Sequence, residues 1–104
     1  MPDTELEKLK KYLDEHDYDN VWNTILSTND QIIVYGPGHF RSWDAVCHKG
    51  SYGGDQGLLE IYGNICTDVI GWLKADDVIK ILKYMAKKGP DWAPIDSMDD
   101  IKED

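Results

Sequence analysis

Apolar residues return at helical spacing in three places along the chain, and at strand spacing in between. Near the start, Leu6, Leu9 and Leu13 fall on one face with Tyr12 beside them. Thr4 stands three residues before Glu7, the arrangement of a capping box, in which the two residues satisfy each other's backbone N–H groups. This predicts a helix over residues 3–16. Tyr18, Val21, Trp22, Ile25 and Leu26 then recur at three- and four-residue steps behind candidate caps Asp17 and Asp19, which predicts a second, shorter helix ending near Ser27. Further on, Val78, Ile79, Leu82, Met85 and Ala86 form a third stripe. Asp76 and Asp77 fall in its first turn, and Lys80, Lys83, Lys87 and Lys88 lie toward its other face and its end, so the charges match the helix dipole until Gly89-Pro90 stops it.

Between these segments the period changes. After the turn residues Thr28-Asn29-Asp30, QIIVY is a β-branched and aromatic run bounded by Gly36-Pro37-Gly38. In RSWDAVCHK, Trp43, Ala45 and Cys47 alternate with Asp44, Val46 and His48; inward Trp43 and Cys47 imply outward Asp44 and His48. LLEIYG repeats the pattern with Leu59 and Ile61 against Leu58, Glu60 and Tyr62, and NICTDVIGWL can form a fourth strand interrupted at Gly71. Connections this short exclude parallel crossovers. The expectation is one α+β domain over residues 1–90: an N-terminal helix pair, a three- to four-stranded antiparallel sheet and a C-terminal helix. Residues 91–104 then form an acidic tail, in which Trp92, Ile95, Met98 and Ile101 can anchor a short helix opening at Ser97.

A chain of 104 residues can bury one core without metal or disulfide support. The start carries no apolar signal-like run and no later segment reaches the length of a membrane span, so the expected location is the cytoplasm, with Cys47 and Cys66 as free buried thiols. Charge changes the picture more. The net charge is −9, and it is uneven: residues 1–30 hold eight acids against three lysines, residues 31–90 six acids against seven bases, and residues 91–104 six acids against Lys102 alone. Acid at both ends repels phosphate, which argues against direct nucleic-acid binding and for a basic partner.

The reactive side chains gather in HFRSWDAVCHKGSYGGDQG, residues 39–57. Cys47 and His48 are neighbours in a predicted strand, so they leave opposite faces and make poor partners for nucleophilic catalysis; His39 reaches Cys47 only if the loop folds back. Of the metal-ligand types, Asp44 and His48 stand four residues apart, about 13 Å along a strand, too far to share an ion. Neither a catalytic residue nor a cofactor is expected. The glycine loops match no phosphate-binding motif, yet Arg41, Lys49, Ser51 and Tyr52 can cradle a small anion or nucleotide, the alternative reading. Four tryptophans and six tyrosines exceed what one small core easily buries, so some are expected at an interface.

The stretch GLLEIYGNICTDVIGWLKADDVIKIL resembles segments of short uncharacterised proteins of bacterial phages and mobile elements, and the small acidic profile is similar to that of anti-CRISPR and other anti-defence proteins. The resemblance implies a stoichiometric inhibitor in the bacterial cytoplasm, covering a basic nucleic-acid-binding surface of a host defence protein with carboxylates in place of phosphates. It carries over no residue roles, because such proteins share no motif or fold. From the charge pattern itself, the expected partner contacts are Glu7, Asp14, Glu15 and Asp17 on the N-terminal helices and Asp96, Asp99 and Asp100 in the tail, with Tyr18 and Trp92 as aromatic anchors.

Overall fold

The capping box at the start of the chain forms: Glu7 N–H donates to Thr4 Oγ1 at 3.1 Å and Thr4 N–H donates to Glu7 Oε1 at 3.0 Å. It opens helix α1, Glu5–Glu15, whose Leu6, Leu9 and Leu13 are buried. The computed structural model describes residues 3–101. Five strands follow, β1 (Asn20–Asn23), β2 (Gln31–Tyr35), β3 (Arg41–Val46), β4 (Leu59–Gly63) and β5 (Ile70–Leu73), and then helix α2, Ala75–Lys88. Each strand pairs antiparallel with the next, in the order β1-β2-β3-β4-β5. The α+β class stands, with two corrections.

The first concerns the expected helix pair, because residues 20–23 are a strand and α1 is the single N-terminal helix among the described residues. Trp22 does turn toward the core, but Val21, Ile25 and Leu26, which a helix would have buried beside it, are 43%, 45% and 62% exposed. Pairing with β2 along Asn20–Val34 through Asn23–Gln31 supplies backbone partners that local propensity does not weigh. The second correction follows from the first: the sheet has five strands rather than three or four. In NICTDVIGWL only Ile70–Leu73 is strand; Ile65 and Cys66 are buried in the turn before it.

One sheet face carries the core. Ile32, Val34, Trp43, Ala45, Leu59, Ile61 and Leu73 point to that side and meet Leu6, Leu9 and Leu13 of α1 and Val78, Ile81 and Leu82 of α2. Period-two alternation in β2 and β4 puts every second side chain there, so apolar burial is continuous across the strands. The helices lie side by side with their N-termini joined, Ala75 N–H donating to Glu5 Oε1 at 2.8 Å. Residues after α2 return to the domain. Ile95, 3% exposed, forms a parallel bridge with Cys66, donates its N–H to the Ile65 carbonyl at 3.1 Å and accepts from Thr67 N–H at 2.9 Å. A short 3-10 turn, Met98–Asp100, opens at Ser97, whose hydroxyl accepts from Asp99 N–H, and Met98 and Ile101 pack on the core. The last three tail residues lie outside the described range.

Two local devices shape the sheet. At the end of β4, Gly63 has φ +137, and a Cβ there would collide with the Cα of Trp43 and the carbonyl oxygen of Ser42 on β3. Between β1 and β2, the buried Asp30 carboxylate accepts the N–H groups of Ile25, Leu26 and Ser27 at 2.6, 2.7 and 2.8 Å. Burial pushes this carboxyl up, but the backbone donors outweigh it and hold the group at about 2 against an ordinary 3.8.

Gly63→Ala is expected to destabilise the protein by about 2 kcal/mol or more, through overpacking and a strained backbone, read as a fall in the urea midpoint at unchanged slope. Because Asp30 titrates lower in the fold than in the unfolded chain, its contribution is complete above about pH 5 and is lost as pH falls through 3.8 toward 2. Urea midpoints measured from pH 5 to pH 2 should therefore fall more steeply for the native chain than for Asp30→Asn; parallel curves would show that the carboxylate does not carry this linkage.

Candidate functional site

The chain leaves α1 through a tight reversal, with Tyr18 N–H bonded to the Leu13 carbonyl at 2.9 Å and Asp17 in the left-handed region at φ 62, where a short side chain such as Asp is tolerated. Asp17, Tyr18 and Asp19 thus pass the C-terminal end of α1. Tyr35, Gly36 and Pro37 close β2 on the same side, Ser42 and Trp43 open β3, and the last turns of α2 contribute Leu82, Met85 and Ala86. The Gly89–Asp91 turn brings Trp92 back against them. Together these residues wall a groove of about 530 Å³, the size of a small-ligand or side-chain site. Its surface is mostly apolar, with Val34 and Ile65 on the floor.

The groove has a sign. Its two charged lining residues are both acids, Asp17 and Asp19, and among the described residues no lysine, arginine or histidine lines it. Asp19 accepts from or faces His39 Nδ1 at 2.9 Å, on the exposed outer side. The Asp17 backbone N–H donates to the Asp14 carbonyl at 3.4 Å, while its carboxylate makes no hydrogen bond or ion pair among the described residues and is available to a visitor. Burial, with Tyr12 nearby, pushes the Tyr18 phenol above its usual range, so it stays protonated at neutral pH.

Of the expected partner contacts, Asp17, Tyr18 and Trp92 meet in this groove, joined from opposite ends of the sequence. The other acids have structural tasks or stand apart. Glu7 belongs to the capping box, and the Thr4 backbone N–H holds its carboxyl below the usual range. Asp14 is bonded to Lys10 at 2.9 Å and to Asn20 at 3.0 Å, and the Lys10 bond lowers its pKa. Asp96 accepts from the Thr67 hydroxyl, and Asp100 accepts from Asp96 N–H at 2.7 Å. Glu15 and Asp99 are exposed on α1 and on the 3-10 turn. Asp19, Tyr35, Trp43 and Met85 complete the groove; Trp43 has the periodicity of a core residue, and nothing in its spacing marks it as a groove wall.

The residues of the alternative anion cradle are not brought together. Arg41 opens β3 and is bonded to Asp44 at 2.6 Å, whereas Lys49, Ser51 and Tyr52 follow its far end, about 16 Å away along the strand. Ser51 is engaged with His48, donating to its carbonyl at 2.8 Å and accepting from its N–H at 3.0 Å. Burial pushes the thiols of Cys47 and Cys66 up, and no group of three or more His, Cys, Asp or Glu side chains able to hold a metal occurs among the described residues. No helix there is long and apolar enough to cross a membrane.

On the sheet face opposite the helices lies a second feature. Asp44 was expected to point outward, and it does lie on that face, yet it is only 8% exposed. Asn23 Nδ2 donates to Gln31 Oε1 at 2.6 Å, Gln31 Nε2 donates to Asp44, and Arg41 covers the same carboxylate oxygen. Tyr62 on β4 and Trp72 on β5 stand exposed on adjacent strands, and Trp72 holds a left-handed φ of 61 beside Tyr52. What these observations define is a small α+β domain with a one-sided helix layer, an acidic aromatic groove and an open sheet face. Comparison with known proteins finds no matching family model, no matching curated protein and no matching solved structure.

Asp44→Ala removes the acceptor that satisfies the buried Gln31 amide and is expected to lower stability by about 1–3 kcal/mol. Arg41→Ala deletes only a half-exposed partner and should cost under about 1 kcal/mol. Thermal unfolding of the two variants in parallel checks the order; an equal or reversed ranking would show that Asp44 is held by Arg41 rather than by Gln31.

Proposed function

We propose that the protein acts by binding a cationic macromolecular partner in a stoichiometric complex, with no chemical turnover of its own. The observation that carries this reading is the convergence of Asp17 and Tyr18, from the turn that follows the first helix, with Trp92, from the last segment, in one groove whose charged lining residues are all acids. Aromatic rings beside acidic side chains, one of them the unengaged Asp17 carboxylate, fit the anatomy of a binding surface: rings supply buried area, and carboxylates steer a positive partner and set its orientation. A net charge of −9 extends that steering over the whole molecule. In its specific form the proposal is an inhibitor of a bacterial defence protein, occupying the basic surface on which that protein holds nucleic acid. The acidic profile supports the form, since a carboxylate surface competes for the lysines and arginines that would bind phosphate.

The immobilised full chain is expected to retain a basic protein from bacterial lysate, to lose it as salt rises toward 1 M, where the screening length shrinks to about 3 Å, and to lose it to added duplex DNA. The double variant Asp17→Asn, Asp19→Asn should retain markedly less. Partners that are acidic, or that stay bound in 1 M salt and ignore DNA, would overturn the reading.

A further inference from the structure

The groove's chemistry narrows the partner further. Four aromatic residues, Tyr18, Tyr35, Trp43 and Trp92, line it with Asp17 and Asp19. An ammonium ion is compact and strongly hydrated, and an apolar wall strips that water at a cost. A guanidinium is planar, weakly hydrated and delocalised; it stacks on aromatic faces and presents several N–H donors to carboxylates. We propose that the groove is the receptor for one arginine side chain projecting from the partner, its guanidinium between the aromatic walls and the Asp17 and Asp19 carboxylates. A volume of about 530 Å³ leaves room for the arginine and the short backbone stretch that carries it. This deepens the partner-binding reading and rests on it for the source of the arginine, although the site itself can be probed without any partner. Charge complementarity selects the occupant: both charged lining residues are acids, and among the described residues the Asp17 carboxylate has no partner and that of Asp19 faces only the exposed His39 ring at 2.9 Å.

The test titrates the full chain with three blocked tripeptides, Gly-Arg-Gly, Gly-Lys-Gly and Gly-citrulline-Gly, followed by tryptophan fluorescence and by backbone amide NMR shifts. The arginine peptide should saturate with a dissociation constant of roughly 1–10 mM, the level one good contact supports, and should shift the amides of Tyr18, Tyr35, Met85 and Trp92. Citrulline, which keeps the shape and loses the charge, should bind at least about tenfold more weakly, and lysine several-fold more weakly. Asp17→Asn with Asp19→Asn should bring arginine down to the citrulline level. Asn tolerates the left-handed backbone at position 17, so this variant keeps the fold, which its amide spectrum verifies.

Equal binding of arginine and citrulline, lysine matching arginine, shifts confined to other surfaces, or no saturation by about 50 mM would each overturn the proposal. So would broadening of the groove signals that grows with protein concentration alone, which would assign the groove to a second copy of this chain. The two readings fail separately. A basic partner whose capture is indifferent to Trp92→Ala and to the double Asn variant would remove the arginine site and leave partner binding; specific arginine binding without any salt-sensitive basic partner would do the reverse.

Discussion

The structure depends on burying one face of a five-stranded sheet, and only one. Along the meander, the side chains on the helix side form a continuous apolar floor from Ile32 through Trp43 and Ile61 to Leu73. Two helices suffice to cover it, because α1 brings Leu6, Leu9 and Leu13 and α2 brings Val78, Ile81 and Leu82. At roughly 25 cal/mol per Å² of apolar area, this layer is the main source of stability. The other face is left to polar chemistry. Its Asn23–Gln31–Asp44–Arg41 chain of hydrogen bonds is therefore a consequence of one-sided packing: a carboxylate that no helix covers is shielded by its neighbours on adjacent strands.

One-sided packing also creates the groove. The helices are joined at their N-termini by the Glu5–Ala75 hydrogen bond, and at the opposite end the tight turn after α1 and the Gly89 stop after α2 leave a gap above Val34 and Trp43. Rings and aliphatic side chains together frame that gap, Tyr18, Tyr35 and Trp92 with Leu82 and Met85, and the acids of the α1–β1 connection line it too. The segment after α2 is held in place by the Ile95 bridge to Cys66, which fixes where the chain leaves Trp92. Trp92 thus belongs to the groove because of a contact made three residues later.

The exposed residues fall into two groups with different meanings. Glu7, Asp14, Asp96 and Asp100 are acids that the fold itself uses, in a capping box, a helix-face ion pair and the hydrogen bonds of the last turn. A charge count assigns them to a partner; their hydrogen bonds assign them first to the domain. The Asp17 carboxylate has no such engagement among the described residues, and unlike the equally unengaged Glu15 and Asp99 it lines the groove. Tyr62 and Trp72, exposed on the open sheet face, show that aromatic residues left over from the core do not all gather in one place.

What the amino-acid sequence by itself determined was what short-range physics decides. The Thr4–Glu7 capping box, the Leu6-Leu9-Leu13 stripe, the charges and stop signal of α2 and the alternation in QIIVY and LLEIYG all act within a few residues, so each is readable in place. The segment from Tyr18 to Leu26 is different: its spacing suits a helix, while its β-branched and aromatic centre suits a strand. Backbone pairing with β2 and the Asp30 carboxylate gathering three N–H groups resolve the conflict; the first joins separate segments of the chain, and the second is a turn contact that no apolar period marks. The groove is tertiary throughout, since Asp17, Tyr35, Trp43, Met85 and Trp92 share no spacing or motif and become neighbours only when the two helices settle on the sheet. Local sequence can set the period and the caps of an element; which elements meet, and which side chains are left facing the gap between them, depends on how the apolar faces pack.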